Sequence, residues 1–232
     1  MDKQIQSPYT HAQMTAWIRG LLTIAWIDGR YSNEEQELIK DWMQQELAQV
    51  NETIETITPA ELAAALGKDE CITENFLRTA VMVALADGIY SSVEDDLLHE
   101  FCTALGRKVE AFDALRMTLV DEAVMLPSTK PKIETISSAV DTVPYSPLDP
   151  LKPIRVWLDQ LEIHDPRLAR YLCRMIPAQC PFERDVVLFG HKVLHIPAMC
   201  KINPLYEQLV GLRFRAMCYL SDTCGEDVSP YC

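Results

Sequence analysis

Residues 17–43, WIRGLLTIAWIDGRYSNEEQELIKDWM, and residues 76–102, FLRTAVMVALADGIYSSVEDDLLHEFC, align at an offset of 59. Identical pairs are Arg19/Arg78, Ala25/Ala84, Asp28/Asp87, Gly29/Gly88, Tyr31/Tyr90, Ser32/Ser91, Glu35/Glu94 and Leu38/Leu97. Each copy reads as helix, tight turn, helix. Gly29 and Gly88 fall where a helix C-terminus takes a left-handed residue, which glycine adopts without steric cost. Ser32-x-x-Glu35 and Ser91-x-x-Glu94 read as capping boxes that open the next helix. Working outward, Thr58-Pro59-x-Glu61 opens another helix, with proline at its first position, and Gly67 closes it. Gly106 ends the helix begun near Ser92, and Val109 to Val124 supplies a last amphipathic segment. No stretch here alternates as a strand does, so the periodicity and caps predict an all-α domain of about six helices over residues 1–126.

The rest of the chain has different chemistry. Across 232 residues the formal net charge is −13, with 34 acidic and 21 basic side chains. All of that excess lies in residues 1–126, whereas residues 150–232 carry 10 basic and 9 acidic groups. An acidic surface lacks the basic footprint that phosphates require, which excludes electrostatic nucleic-acid binding most firmly for the first part. Residues 127–149 are rich in proline, serine and threonine and read as a linker. No apolar run approaches the roughly 18 residues of a membrane span, and the N-terminus lacks the apolar core of a signal peptide. These features predict a cytoplasmic protein.

Residues 150–232 hold six of the eight cysteines. Pro150 to Leu161 reads as a helix, and Asp165-Pro166 opens a second one running to about Ile176. Residues 185–196, DVVLFGHKVLHI, read as two short strands around Gly190, a small hairpin. Asn203-Pro204 opens a final helix to about Ser221. The predicted class is therefore mainly α: an all-α repeat domain, and a small α-rich domain with a short β-hairpin.

Cys180 and Cys200 each lie ten residues from Gly190, so a hairpin turning there brings the two thiols together. Cys173 near the end of one helix and Cys224 beyond the last complete a Cys-x6-Cys-x19-Cys-x23-Cys set, with His195 as an alternate nitrogen ligand. Four soft ligands suit zinc or an iron–sulfur cluster, and the spacing does not separate the two. The competing readings are buried thiols acting as small hydrophobes and a redox-active pair. Cys218 and Cys232 are weaker candidates, and Cys71 and Cys102 are expected to pack within the helical domain. Arg167, Arg170 and Arg174 share one helical face, and Arg213 and Arg215 follow. They are expected to be solvated or to pair with the acidic first domain rather than to bind an anionic partner.

The doubled Asp-Gly-x-Tyr-Ser-x-x-Glu turn resembles the tellurite-resistance TerB-like domain over about residues 10–125. That resemblance implies an all-helical module linked to metal-related stress and to membrane-associated complexes. Its acidic positions correspond here to Asp28, Glu35, Asp87 and Glu94, a second candidate cation site, although capping alone accounts for the pattern. In the second part, Pro150-Leu-Lys-Pro-Ile-Arg-Val-Trp-Leu-Asp, Ile176-Pro-Ala-Gln-Cys-Pro-Phe-Glu-Arg-Asp185 and Asn203-Pro-Leu-Tyr-Glu-Gln-Leu-Val-Gly-Leu-Arg-Phe-Arg-Ala216 resemble a cyanobacterial family named for the C-terminus of Mo-dependent nitrogenase. That resemblance covers about residues 148–228, and its metal positions would correspond to Cys173, Cys180, Cys200 and Cys224. It does not imply nitrogenase activity, because nitrogenase catalytic subunits are far longer and bear a cluster architecture absent from this sequence.

There is no glycine-rich phosphate loop, no Gly-x-Ser-x-Gly elbow and no His-Glu-x-x-His. The sequence therefore predicts a non-enzymatic accessory protein: an acidic helical module that docks a protein partner, peripheral membrane complexes included, joined to a cysteine-rich module. The alternatives are a structural adaptor with inert thiols and a thiol redox protein.

Overall fold

Caps decide where the helices begin. Thr10 accepts from the Gln13 backbone N–H while the Gln13 side chain bonds back to the Thr10 N–H, opening α1 (His11–Ile27). The same reciprocal arrangement at Thr58 and Glu61 opens α2 (Pro59–Leu66). Asp69 caps α3 (Glu70–Ala84), and Ser91 with Glu94 opens α4 (Ser92–Ala104). Two short helices follow, α5 (Ala111–Leu115) and α6 (Lys152–Asp159), then α7 (Pro166–Met175) and α8 (Tyr206–Cys218). The computed structural model describes residues 7–29, 36–37, 39–41, 43, 55–86, 90–116, 149–176, 204–232 and, by backbone alone, 184–188 and 191–196. Among these residues the chain is mainly helical, and none of the helices is long and apolar enough to cross a membrane.

α1 lies at the centre of the first part and packs against α2, α3 and α4. Met14, Trp17, Ile18, Leu21, Leu22 and Ile24 are fully buried, so this helix is covered well beyond a single stripe. A run of tilted and edge-to-face rings, Tyr9–Trp17–Phe76–Phe101, crosses the core with centroids 5.1–5.8 Å apart. At Gly20 the helices α1 and α3 approach closely: a Cβ there would meet the Phe76 ring at 2.8 Å.

The second part packs onto the first through α6, which contacts α3 and α5. The Arg78 guanidinium donates to the Trp157 carbonyl at 2.9 Å and to Gln160 at 3.0 Å, and it lies 5.3 Å from the Trp157 ring centre. Phe112 also meets Trp157, edge-to-face at 5.7 Å. The counterpart of Arg78 in the repeat binds carbonyls too, since Arg19 donates to those of Glu55 and Thr56, both at 2.9 Å.

The hairpin forms as expected, with β1 (Arg184–Leu188) antiparallel to β2 (His191–Ile196). Its register pairs Arg184 with Ile196 at the open end, and an irregularity falls between Val186 and Val187. α8 begins two residues later than the Asn203-Pro204 signal suggests: Leu205 is its N-cap, and no side chain caps it. It also ends differently. After Cys218 the chain widens into a π-helical turn, Tyr219–Thr223, in which the Cys224 N–H reaches the Tyr219 carbonyl. Gly225, at φ 69°, then turns the chain away.

Candidate functional site

Of the four cysteines predicted as ligands, Cys173 and Cys224 lie among the described residues, while Cys180 and Cys200 fall outside them. Cys173 is on the buried face of α7. Burial pushes its thiol up to about 11, with Arg213 nearby pulling weakly the other way. Cys224 stands at the end of the π-helical turn, beside the Tyr219 hydroxyl. Burial and the Glu226 carboxylate raise the Cys224 thiol, and burial, with Cys224 beside it, takes the Tyr219 hydroxyl to about 12. Cys173 and Cys224 thus meet different surroundings, an arginine on one side and a tyrosine–carboxylate group on the other. The backbone of His195 pairs with Asp185 within the hairpin. Cys180 and Cys200 lie four residues outward in sequence from Arg184 and Ile196, equidistant from the outermost pair. Among the described residues, no three His, Cys, Asp or Glu side chains assemble as a metal site.

The other cysteines divide by position. Cys102 is buried, its thiol raised by desolvation, and it donates to the Arg107 carbonyl at 3.1 Å. Cys71, by contrast, does not pack within the helical domain as expected; it is exposed, in the first turn of α3.

The second candidate cation site is represented by Asp28 and Glu94; Glu35 and Asp87 lie outside the described residues. Asp28 is the C-cap of α1. Glu94 is buried, and its Oε2 accepts from the Ser91 N–H at 2.9 Å and the Ser91 hydroxyl at 2.7 Å. This is the capping role its spacing suggests. The adjacent Asp95, to which no sequence motif points, holds more: it accepts from the Tyr90 hydroxyl and from Arg116, both at 2.9 Å, while 4 % exposed. Burial, with the Asp95 charge beside it, drives the Tyr90 hydroxyl far above its ordinary range.

Arg167 and Arg170 of α7 find carboxylates within the second part, whereas the sequence predicts solvation or pairing with the acidic first part. Arg167 makes a fork to Asp165, at 3.1 and 2.7 Å, and Arg170 makes one to Glu226, at 2.9 and 2.7 Å. Asp165 is fully buried and also caps α7. Burial alone would raise its carboxyl; Arg167, Ser7 and the Arg167 backbone N–H outweigh that and hold it below the usual carboxylate range. Arg167 also reaches His11 of α1 at 3.4 Å.

Arg213, on α8, departs from the expected solvation or pairing with the first part. It is 9 % exposed and donates to the carbonyls of Ile176 and Tyr231 and to the Met217 sulfur. Beside it is an open cavity of about 300 Å³, lined by Cys173, Arg174, Ile176, Arg213, Pro230, Tyr231 and Cys232.

Residues 150–232 match the family described as Mo-dependent nitrogenase C-terminus. The match begins just before α6 and takes in α7, the hairpin, α8, Arg213 and the four predicted cysteine ligands. No curated protein and no solved structure matched the chain.

Proposed function

We propose that the chain is a non-enzymatic cytoplasmic accessory protein of two modules: a TerB-like helical module, residues 1–126, and a cysteine-rich module, residues 150–232. The first docks a protein partner through its acidic surface. The second holds zinc or an iron–sulfur cluster on Cys173, Cys180, Cys200 and Cys224, with His195 as alternate. The observation that supports the metal reading is the hairpin register: with Arg184 opposite Ile196, the chain positions of Cys180 and Cys200 fall at equal distances beyond the open end. Two thiols at such an end could share one soft cation. A bound cation would also supply the charge stabilisation that Cys173 lacks, since burial otherwise keeps its thiol protonated.

Anaerobic purification followed by an absorption spectrum and metal analysis tests this. Stoichiometric zinc, or iron with sulfide-to-iron charge-transfer bands, is expected, with loss in Cys180→Ser and Cys200→Ser. Metal-free, colourless wild-type protein refutes it.

One observation favours a second reading, a structural adaptor with inert thiols. Burial raises the thiols of Cys102 and Cys173, which suits small packed hydrophobes and works against redox nucleophiles. On this reading Cys180→Ala and Cys200→Ala change stability modestly and leave partner capture intact.

A further inference from the structure

The repeat places two versions of one helix in the same chain. At the offset of 59, Glu37, Lys40 and Asp41 correspond to Asp96, His99 and Glu100. Residues 36–37 and 39–41 are helical, as is α4. In the first copy the chain supplies its own cation. Lys40 bonds Glu37 at 2.8 Å, three residues back, and lies 5.4 Å from the Trp26 ring centre. The second copy has no lysine at that place. His99 stands there instead and is turned inward, its Nδ1 at 2.7 Å from the Asp95 carbonyl and its ring in T-shaped contact with Phe112.

Asp96 and Glu100 are exposed, and neither bonds any of the described residues. Their neighbours are engaged: Glu94 is a cap and Asp95 meets Arg116. The third member of this face is apolar. Val93, where the first copy has Glu34, is 45 % exposed. Positions 93, 96 and 100 recur at three and four, so they share one side of α4, opposite Leu98 and Phe101 in the core. The cation that the first copy receives from Lys40 has to come to the second from outside the described residues. The acidic excess of the first part attracts any cation-bearing segment, whereas this face selects among them. Two carboxylates four residues apart match basic groups one turn apart on a facing helix, and Val93 offers contact to an aliphatic side chain beside them.

We propose that the outer face of α4 docks a basic amphipathic helix of a protein partner, with an aliphatic side chain on Val93 and two Lys or Arg residues, one turn apart, on Asp96 and Glu100. This rests on the reading of the first module as an acidic docking unit and names its face and the chemistry of its partner. Exposed ion pairs contribute little each, so the contact is weak, transient and sensitive to salt.

The test titrates the full-length protein against a fluorescein-labelled helical peptide of leucine and lysine, its lysines four residues apart along one side, with anisotropy read at low and at physiological salt. Saturable binding that weakens with salt is expected. Asp96→Asn with Glu100→Gln should weaken it by about fivefold or more, through loss of two exposed pairs. Val93→Ser should weaken it by about twofold or more, through loss of apolar contact. The charge-matched pair Glu37→Gln with Asp41→Asn, at the corresponding positions of the first copy, should change it by less than about twofold. All of these substitutions leave the Ser91–Glu94 cap in place. Equal weakening by the two double variants, or unchanged affinity in Val93→Ser, would overturn the proposal and leave a general acidic docking surface. No binding of the peptide at low salt would overturn both the proposal and the docking reading beneath it.

Discussion

Asp165 shows how much one side chain holds. It caps α7 through the N–H groups of Arg167 and Leu168, at 2.8 and 3.3 Å, and takes both arms of the Arg167 guanidinium while fully buried. Asp165→Asn keeps the shape and most of the cap but leaves Arg167 without its counter-charge. The expected loss is about 2–4 kcal/mol at pH 7, below the largest buried-pair costs because Arg167 keeps some solvent contact. The carboxyl is depressed in the folded state, so folding favours the ionised form and stability rises with pH through the acid range. That contribution is present at neutral pH and disappears as pH falls through the folded-state value, below 3.8. Urea unfolding of both proteins should therefore show a wide gap at pH 7 that narrows as the medium is acidified below 3.8. A constant gap would assign the role of Asp165 to packing alone. The Asp-Pro pair makes the cap legible from sequence. The ion pair is not legible, because adjacency across a helix start depends on side-chain direction rather than on spacing alone.

At the scale of elements, local signals are legible and long-range ones are not. Ser91-x-x-Glu94 and Thr58-Pro59-x-Glu61 are capping boxes in the sequence and in the structure, since a cap needs only residues within one turn. The switch from α8 to a π-helical turn after Cys218 is invisible, because apolar spacing continues through Leu220 and nothing local marks the wider turn. Half of the candidate metal set shares that limit. The hairpin follows from β-branched runs around Gly190, whereas the different surroundings of Cys173 and Cys224 depend on how α7, α8 and the last turn meet. Gly20 gives a test of such a meeting. In an isolated helix Gly20→Ala would gain up to about 1 kcal/mol. Here the added methyl would enter the Phe76 ring, itself in contact with Trp17 and Phe101. Overpacking costs about 1–3 kcal/mol, so a net loss is expected in thermal or urea unfolding. A stabilised Gly20→Ala protein would show that α1 and α3 can separate without penalty.

For the molecule as a whole, the contact between its two parts is specific. Arg78 is 7 % exposed, and its bonds to Trp157 and Gln160, with the Phe112–Trp157 ring contact, connect residues far apart in the chain. A protease site inserted within residues 127–148 should therefore yield two fragments that co-elute in gel filtration. Arg78→Ala should loosen the pair by about tenfold or more, since it removes two charge-assisted bonds and the cation–π contact. Fragments that separate at once in the unsubstituted protein would show that the chain linkage alone keeps the parts together. Composition and charge suggest the division between the parts. Neither contains the contact that joins them, because Arg78 reads as one more matched position of a repeat until its partner is seen.

The kinship of Arg19 and Arg78 has a consequence for damaged versions of this protein. Arg19 finds its carbonyls at residues 55 and 56, within the same unit, whereas Arg78 takes its own from residue 157. A chain interrupted between α5 and residue 157 would retain the described helices of the acidic part and leave Arg78 its bonds to Glu74 and Asn75, while removing the Trp157 carbonyl and ring and the Gln160 side chain that cover it. The apolar surface of α3 and α5 that α6 covers would then face water, so a premature stop far downstream should destabilise the helices that precede it as well as remove the later cysteines.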